Sequence, residues 1–321
     1  MAISNPTRFW AIVAFITVSI AWGTTYAGIA VAVESIPPFL LSGVRFFFAG
    51  LMLFLVLRLW GIAAPSSDDW KRLAPQGVLL LCCANGLLGW AEQYIDSSYA
   101  ALLVNSGPFI FVGLSALAGE PVPRLAWVGL CIGFCGLLVL VSPSIFGEAA
   151  AGKELHPFFR WAVAALIIGP ICWSTGSFFA KRAPPKCHHF MIAAGQNIAG
   201  GLGAMVVSLC VGELSVVHVP TRESVYALIY LLFVGSWIGY IAYIYCVIHL
   251  PPHRTATTVY LNMVVAVLVG WLFLGEELTP PMLIGGAIML AGVWTVNLAR
   301  TKPRVVAVLP AEPVAASSGK G

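Results

Sequence analysis

The feature that most constrains this chain is a series of ten long apolar stretches, nine of which contain no charged residue. A helix needs about 20 apolar residues to cross the hydrocarbon core of a bilayer. The sequence therefore predicts an all-α membrane protein with ten spans, which are numbered here in chain order. They cover residues 9–33, about 37–57 (interrupted only by Arg45), 73–91, 97–119, 125–147, 161–180, 190–212, 224–248, 255–275 and 278–299.

The scarcity of charge excludes several other classes of protein. Charged residues make up 9% of the chain, against about 25% in soluble domains. So few charges cannot supply the polar surface of a soluble globule, a disordered chain or a nucleic-acid-binding protein. The eight cysteines include no C-x-x-C pair, so the sequence predicts neither a metal site nor another cofactor.

The positions of Lys and Arg predict the orientation of the spans, because cytoplasmic loops are enriched in them. With the N-terminus inside, the cytoplasmic loops and span ends hold twelve basic residues. The opposite loops hold three, which are Lys153, Arg160 and Arg222. We therefore expect cytoplasmic N and C termini in a multi-pass protein of the inner (plasma) membrane.

An internal repeat relates the first five spans to the last five. A shift of 156 residues aligns Gly119-Glu120 with Gly275-Glu276, and a shift of 151 aligns Trp22 with Trp173. Because five is odd, the second copy enters the membrane from the opposite side, as in the inverted repeats of secondary transporters. Duplication into a merely stable bundle is the alternative. The predicted organisation is a first repeat at 1–147, a periplasmic linker at 148–160, a second repeat at 161–300 and a disordered cytoplasmic tail at 301–321.

Four motifs carry a resemblance to a known family. They are WGTTY at 22–26, the run from Ala100 to Pro108, LAGEP at 117–121 and LGEEL at 274–278. Over about residues 8–300 the chain resembles the drug/metabolite transporter superfamily, and within it the ten-helix EamA type, including YddG-type amino-acid exporters. The resemblance implies export of small metabolites through a central cavity, with spans 5 and 10 as peripheral scaffolding. The sequence departs from the pattern at Val264, where the second copy lacks a counterpart of Pro108.

Among the candidate residues, Arg45 has the largest free-energy cost of burial in the membrane, because its charge lies deep within a span. It lies eight residues beyond Pro37, or about 12 Å along a helix, and intramembrane charges usually line a cavity or face a partner. We interpret it as a ligand for a substrate carboxylate or phosphate. Snorkelling, or a bond to a neighbouring carbonyl, is the alternative. The shift of 151 aligns Arg45 with Gln196, which predicts a second, neutral polar wall that includes Asn197.

Span 3 offers a second set of polar candidates at its outer end. Asn85 and Glu92 share one helical face, with Trp90 on the adjacent face. Glu92 is interpreted as a possible coupling residue that binds a proton or a substrate ammonium group. The alternative is that Glu92 simply lies in water beyond the end of the span.

Span 4 carries Asn105 and Ser106 just before Pro108, where proline frees a backbone carbonyl one turn earlier. A polar kink that lines the cavity is predicted there, with Asn262 at the matching depth of span 9. Interhelical hydrogen bonding without substrate contact is the alternative. Four aromatic residues also lie deeper than the interfacial belts and are predicted to line the cavity, unless they pack in the core or against lipid: Trp22, Trp173, Trp237 and Tyr240.

These observations predict a secondary transporter, not an enzyme, that exports small metabolites by alternating access. Amino acids are the expected substrates, including aromatic and other large neutral ones, and the lipid bilayer is the only other partner expected. A carrier for sugar phosphates, nucleotide derivatives or cationic drugs is one alternative. An integral-membrane enzyme acting on lipid or isoprenoid substrates is another. Such enzymes cluster Asp, Glu or His at one membrane face, whereas the acidic pair Glu276-Glu277 in a span-end loop here has no His nearby.

Overall fold

The computed structural model describes residues 6–142, 156–216, 219–250, 255 and 257–300, which fold into ten long helices. Nine are long and apolar enough to cross a membrane, and the remaining one has 17 residues. The ten predicted spans are thereby confirmed, whereas most of the predicted linker and the whole tail lie outside the described residues. The helices are α1 (Pro6–Val33), α2 (Pro38–Leu59), α3 (Ser67–Ala91), α4 (Ser97–Leu117), α5 (Arg124–Ser142), α6 (Phe159–Arg182), α7 (His189–Cys210), α8 (Arg222–Tyr230, Leu231–Ile238 and Gly239–His249), α9 (Thr258–Leu274) and α10 (Pro280–Arg300).

Helix α3 begins six residues before the predicted start of span 3 because its first turn is capped. The Ser66 hydroxyl accepts a hydrogen bond from the Asp69 backbone at 3.1 Å, and the Asp69 carboxylate accepts one from the Ser66 backbone at 3.0 Å. This capping box satisfies backbone donors that a helix start otherwise leaves unpaired. The charged first turn therefore extends the helix beyond its apolar stretch.

Helix α4 is broken where the sequence predicted a polar kink. Its two segments, Ser97–Val104 and Gly107–Leu117, are separated by Asn105 and Ser106. Helix α9, which has Val264 at the position matching Pro108, runs without a break from Thr258 to Leu274. The proline thus accounts for a difference between two otherwise matching helices.

The contacts between helices form a symmetrical set. Helix α2 packs along α7 and α5 packs along α10, while α1 lies against α8 and α9 and α6 lies against α3 and α4. These pairs are unchanged when α1–α5 are exchanged with α6–α10. Each half also contains one π-helical stretch, Val78–Cys83 in α3 and Leu231–Ile238 in α8. The packing therefore supports the repeat, whose boundaries in the sequence stay a prediction.

Glycines allow the two long helix pairs to approach closely. A Cβ atom at Gly201 of α7 would lie 2.3 Å from the Phe47 backbone nitrogen of α2. In the other pair, a Cβ atom at Gly136 of α5 would lie 2.6 Å from the Met289 backbone nitrogen of α10. Small residues commonly permit such backbone contact between membrane helices. The α5–α10 pair therefore forms within one protomer and lies to one side of the other helices.

We expect Gly201→Ala to lower the apparent melting temperature of the purified protein in detergent. The new methyl group would meet the backbone of α2, which cannot move aside as a side chain can, and overpacking of this kind costs about 1–3 kcal/mol. Gly113→Ala is the matched control, because a Cβ atom there has no neighbour within 4 Å. An equal loss of stability in both variants would contradict the close α2–α7 contact.

Candidate functional site

Arg45 is buried on α2, where it contacts the π-helical stretch of α8. Its side chain is 6% exposed, and its Nε donates a hydrogen bond to the Ser236 hydroxyl at 3.0 Å. Its guanidinium carbon lies 4.6 Å from the centre of the Phe46 ring, a cation–π distance. A Cβ atom at Gly235 would lie 2.8 Å from Arg45 Nη2, so glycine leaves room for the guanidinium there. The snorkelling interpretation is therefore wrong.

Two of the predicted aromatic residues lie beside this arginine. Trp22 of α1 donates from Nε1 to the Gly235 carbonyl at 3.1 Å, and Trp237 of α8 donates to the Ala49 carbonyl of α2 at 3.0 Å. A π-helical stretch changes the regular backbone pairing and is common at functional sites. We call Trp22, Arg45, Gly235, Ser236 and Trp237 the arginine cluster. It joins helices from both halves of the chain.

Tyr240 lies next to the arginine cluster rather than against the guanidinium. Its ring centre is 6.2 Å from that of Tyr243, whose ring lies 5.0 Å from that of Trp22. The aromatic side chains therefore continue from the arginine cluster along α8, in the direction of its C-terminus.

Glu92 lies just beyond the last residue of α3 and is 7% exposed. Among the residues that the structure describes, neither of its carboxyl oxygens has a hydrogen-bond partner. It interacts electrostatically with Arg45, Glu276 and Tyr26, and Tyr26 in turn bonds to Asn105 at the break in α4. The interpretation that Glu92 lies in water is therefore wrong.

Glu276 lies near Glu92, at the end of the bundle that is predicted to face outside. It follows α9, and its Oε1 accepts hydrogen bonds from the Ser97 backbone at 2.8 Å and the Ser97 hydroxyl at 2.6 Å. Its Oε2 accepts from the Ser98 backbone at 2.9 Å and also from the Ser98 hydroxyl. A carboxylate at a helix N-terminus both satisfies free N–H groups and complements the helix dipole. We call this contact of Glu276 with Ser97 and Ser98 the outer latch.

The repeat counterpart of Glu276 makes a different contact at the opposite end. Glu120 accepts hydrogen bonds from Lys181 Nζ of α6 at 2.9 and 2.7 Å. These bonds hold the pKa of Glu120 below its usual range. By contrast, burial, followed by the charges of Glu276 and Glu277, raises the pKa of Asp96 next to the outer latch. The two ends of the bundle therefore carry unequal contacts.

Several predicted residues lie away from the arginine cluster, and most have other partners. Asn85 donates to the Leu80 carbonyl of its own helix at 3.0 Å. Gln196 donates to the Gln76 side chain of α3 at 3.0 Å, and Asn197 donates to the Ala193 carbonyl at 2.9 Å. The structure thus places Gln196 at the α3–α7 contact and does not bring it opposite Arg45.

The remaining candidates are spread over other parts of the bundle. Trp90 stacks edge-on with Tyr94 at 5.3 Å, and Trp173 is 42% exposed. Ser106 is buried at the break in α4. Among the described residues, the buried side-chain oxygen of Asn262 of α9 has no hydrogen-bond partner.

Three residues near the candidate site were not predicted from the sequence: Gly235 and Ser236 of the arginine cluster, and Tyr26 beside Glu92. Gly235 and Ser236 stand in the middle of an apolar span, where a small polar pair is a weak signal. Tyr26 belongs to the WGTTY motif, but the sequence does not show that it bonds to Asn105. Both assignments depend on which helices become neighbours.

A shallow groove of about 540 Å³ lies elsewhere, between α1, α9 and α10. Its walls are mainly apolar and include Phe15, Leu261 and Trp294. It does not contain the buried polar groups that would orient a solute, so we place the candidate site at the arginine cluster. Within the described ranges, no group of three or more His, Cys, Asp or Glu side chains is arranged to hold a metal ion.

The sequence model of the EamA-like transporter family matches residues 9–142 and 160–298. These two segments together account for most of the 321 residues. The chain belongs to the EamA-like transporter family.

Relatives of this EamA-like protein are named as transporters. It is 33% identical over 298 residues to the uncharacterized inner membrane transporter YedA of Escherichia coli (strain K12), with 92% of each chain covered. It is 27% identical over 292 residues to a probable terminal-alkyne amino-acid exporter of Streptantibioticus cattleyicolor, with 90% of this chain and 92% of the relative covered. The EamA-like protein is a multi-pass transporter of the inner membrane.

A solved crystal structure has the same fold. It covers 90% of this chain and 96% of its own, with a TM-score of 0.61 and 19% sequence identity. The ten-helix architecture is therefore shared with an experimentally determined protein.

Proposed function

We propose that this transporter exports amino acids by alternating access and that the arginine cluster binds their carboxylate. The observation that carries the proposal is the buried guanidinium of Arg45, held by Ser236 between a helix of each half. Arginine binds carboxylates through paired, charge-assisted hydrogen bonds. Trp22 and Trp237 supply apolar surface beside it for a large neutral or aromatic side chain.

The unequal ends of the bundle support alternating access. The first segment of α4 packs on α9 and is fixed by the outer latch, whereas its second segment packs on α6. At the other end, Glu120 bonds to Lys181 of α6. A repeat protein with one end closed reaches the opposite state by exchanging the arrangements of its two halves. In this account, the conformation is closed outside, and export requires the outer latch to open.

The proposed halves are residues 1–147 and 161–300, with rocking of one against the other. The two segments matched by the family model, residues 9–142 and 160–298, agree with this division. The exchange symmetry of the helix contacts supports it as well. Helices α5 and α10 act as scaffolding, since they pack chiefly on each other.

Uptake into liposomes containing the purified protein tests the substrate class. The solutes are labelled phenylalanine, leucine, glutamate, a sugar phosphate, a nucleotide and an organic cation, with protein-free liposomes as the control. We expect phenylalanine and leucine to enter faster than the others. Uptake of the sugar phosphate without any amino acid would contradict the substrate proposal. It would favour a sugar-phosphate carrier instead, because a guanidinium also binds phosphate.

A further inference from the structure

Glu92 is a buried acid without a hydrogen-bond partner among the described residues, whereas the neighbouring Glu276 is bonded to Ser97 and Ser98. It is 7% exposed, and neither carboxyl oxygen accepts a hydrogen bond. Glu276, which interacts electrostatically with Glu92, accepts four hydrogen bonds from Ser97 and Ser98. The difference between the two carboxyl groups requires an explanation, since buried polar groups are usually paired.

The surroundings of Glu92 do not compensate a full negative charge. Arg45 of α2 attracts it but forms no ion pair with it, and Glu276 after α9 repels it. Tyr26 of α1 faces it, while Asp96, the other acid at this end, precedes α4. An isolated carboxylate away from water is strongly disfavoured and normally becomes neutral by taking a proton. The burial of Glu92 without hydrogen-bond partners therefore indicates that its carboxyl group is protonated.

The burial of both carboxyl oxygens of Glu92 distinguishes a proton from other ligands. A substrate ammonium group or a metal ion would need to reach the carboxyl oxygens and bring or recruit further ligands. Both oxygens are buried by protein, and neither has a polar neighbour within hydrogen-bond distance. A proton needs no such space.

We propose that Glu92 is a proton-binding site, occupied in this closed conformation and emptied when the outer latch opens. The part played by opening rests on the proposed transport function. Water that enters between α4 and the loop after α9 would solvate the carboxylate, and the proton would leave toward the end predicted to face outside. Release of the proton from Glu92 is thereby linked to the same opening that releases the solute.

Infrared difference spectroscopy of the purified protein tests this site without any substrate. The carbonyl stretch of a protonated carboxylic acid is separate from that of a carboxylate and shifts in heavy water. At neutral pH we expect this band in the wild-type protein and its loss in Glu92→Gln. Glu277→Gln should retain the band, because Glu277 is an exposed acid in the loop after α9, next to Glu276. Glu276→Ala, which opens the latch and removes a repelling charge, should make the band disappear at a lower pH.

Two results would overturn the inference. A protonated-acid band that is the same in wild type and Glu92→Gln at neutral pH would show that Glu92 is not protonated in this conformation, and a band unaffected by Glu276→Ala would separate Glu92 from the latch. Neither depends on transport. If no amino acid is taken up in liposomes but the Glu92 band behaves as expected, the substrate proposal fails while the proton site stands.

Discussion

Arg45→Ala is expected to reduce amino-acid uptake into liposomes at least tenfold while the protein still folds. A hydrogen bond to a charged group contributes about 1.5–3 kcal/mol, and 1.4 kcal/mol corresponds to a tenfold change in binding. A carboxylate that loses both donors of the guanidinium fork should therefore bind much more weakly. Arg45→Lys keeps the charge but loses the bond from Nε to Ser236, so we expect it to restore only part of the activity.

Arg58→Ala provides the matched control for this substitution. Arg58 lies on the same helix but is exposed, and it bonds to the Ile62 carbonyl near the helix end. Its loss should leave uptake within about twofold of wild type. Size-exclusion chromatography and the melting temperature verify folding of each variant. Wild-type uptake by folded Arg45→Ala would remove this residue from the binding site.

Glu276→Ala is expected to lower uptake at least tenfold by destabilising the conformation that is closed outside. The substitution removes all four hydrogen bonds of the outer latch and leaves backbone donors of Ser97 and Ser98 unpaired. Those donors regain partners most readily from water, and water reaches them when the end of the bundle opens. Loss of a single charge-assisted bond already shifts a two-state equilibrium about tenfold.

The matched control is Glu277→Ala, which removes the adjacent acid of the same loop. Glu277 is exposed, and its side chain is not part of the latch. We expect this variant to keep uptake within about twofold of wild type. If the two variants had equal activity, the outer latch would have no role in the transport cycle.

The architecture could be predicted from the sequence because it depends on local patterns. Apolar length defines the ten helices, and Pro108 marks the region where α4 breaks. Gly119 and Gly275 both adopt positive φ angles of +76° and +69° where their helices end. Such signals are carried by single residues or by runs of neighbours, so no knowledge of the packing is needed to read them.

The composition of the site depended on contacts that local patterns do not contain. The repeat alignment equates Arg45 with Gln196, and each of the two residues contacts the helix of the other half that contains a π-helical stretch. An inverted repeat, however, places equivalent residues at opposite depths, so they do not share a wall. Glu92 looked accessible because it ends an apolar stretch, whereas the surrounding helices bury it and the loop that carries Glu276 comes near it.

The measurement that tests the central claim most directly is trans-stimulation of solute exchange. Liposomes are loaded with labelled phenylalanine, and its efflux is measured with and without unlabelled phenylalanine outside. A carrier with one site that opens alternately to each side returns faster when loaded, so we expect efflux to accelerate and to saturate with concentration. Efflux that is unaffected by the outside solute and rises linearly with concentration would contradict alternating access and indicate a channel.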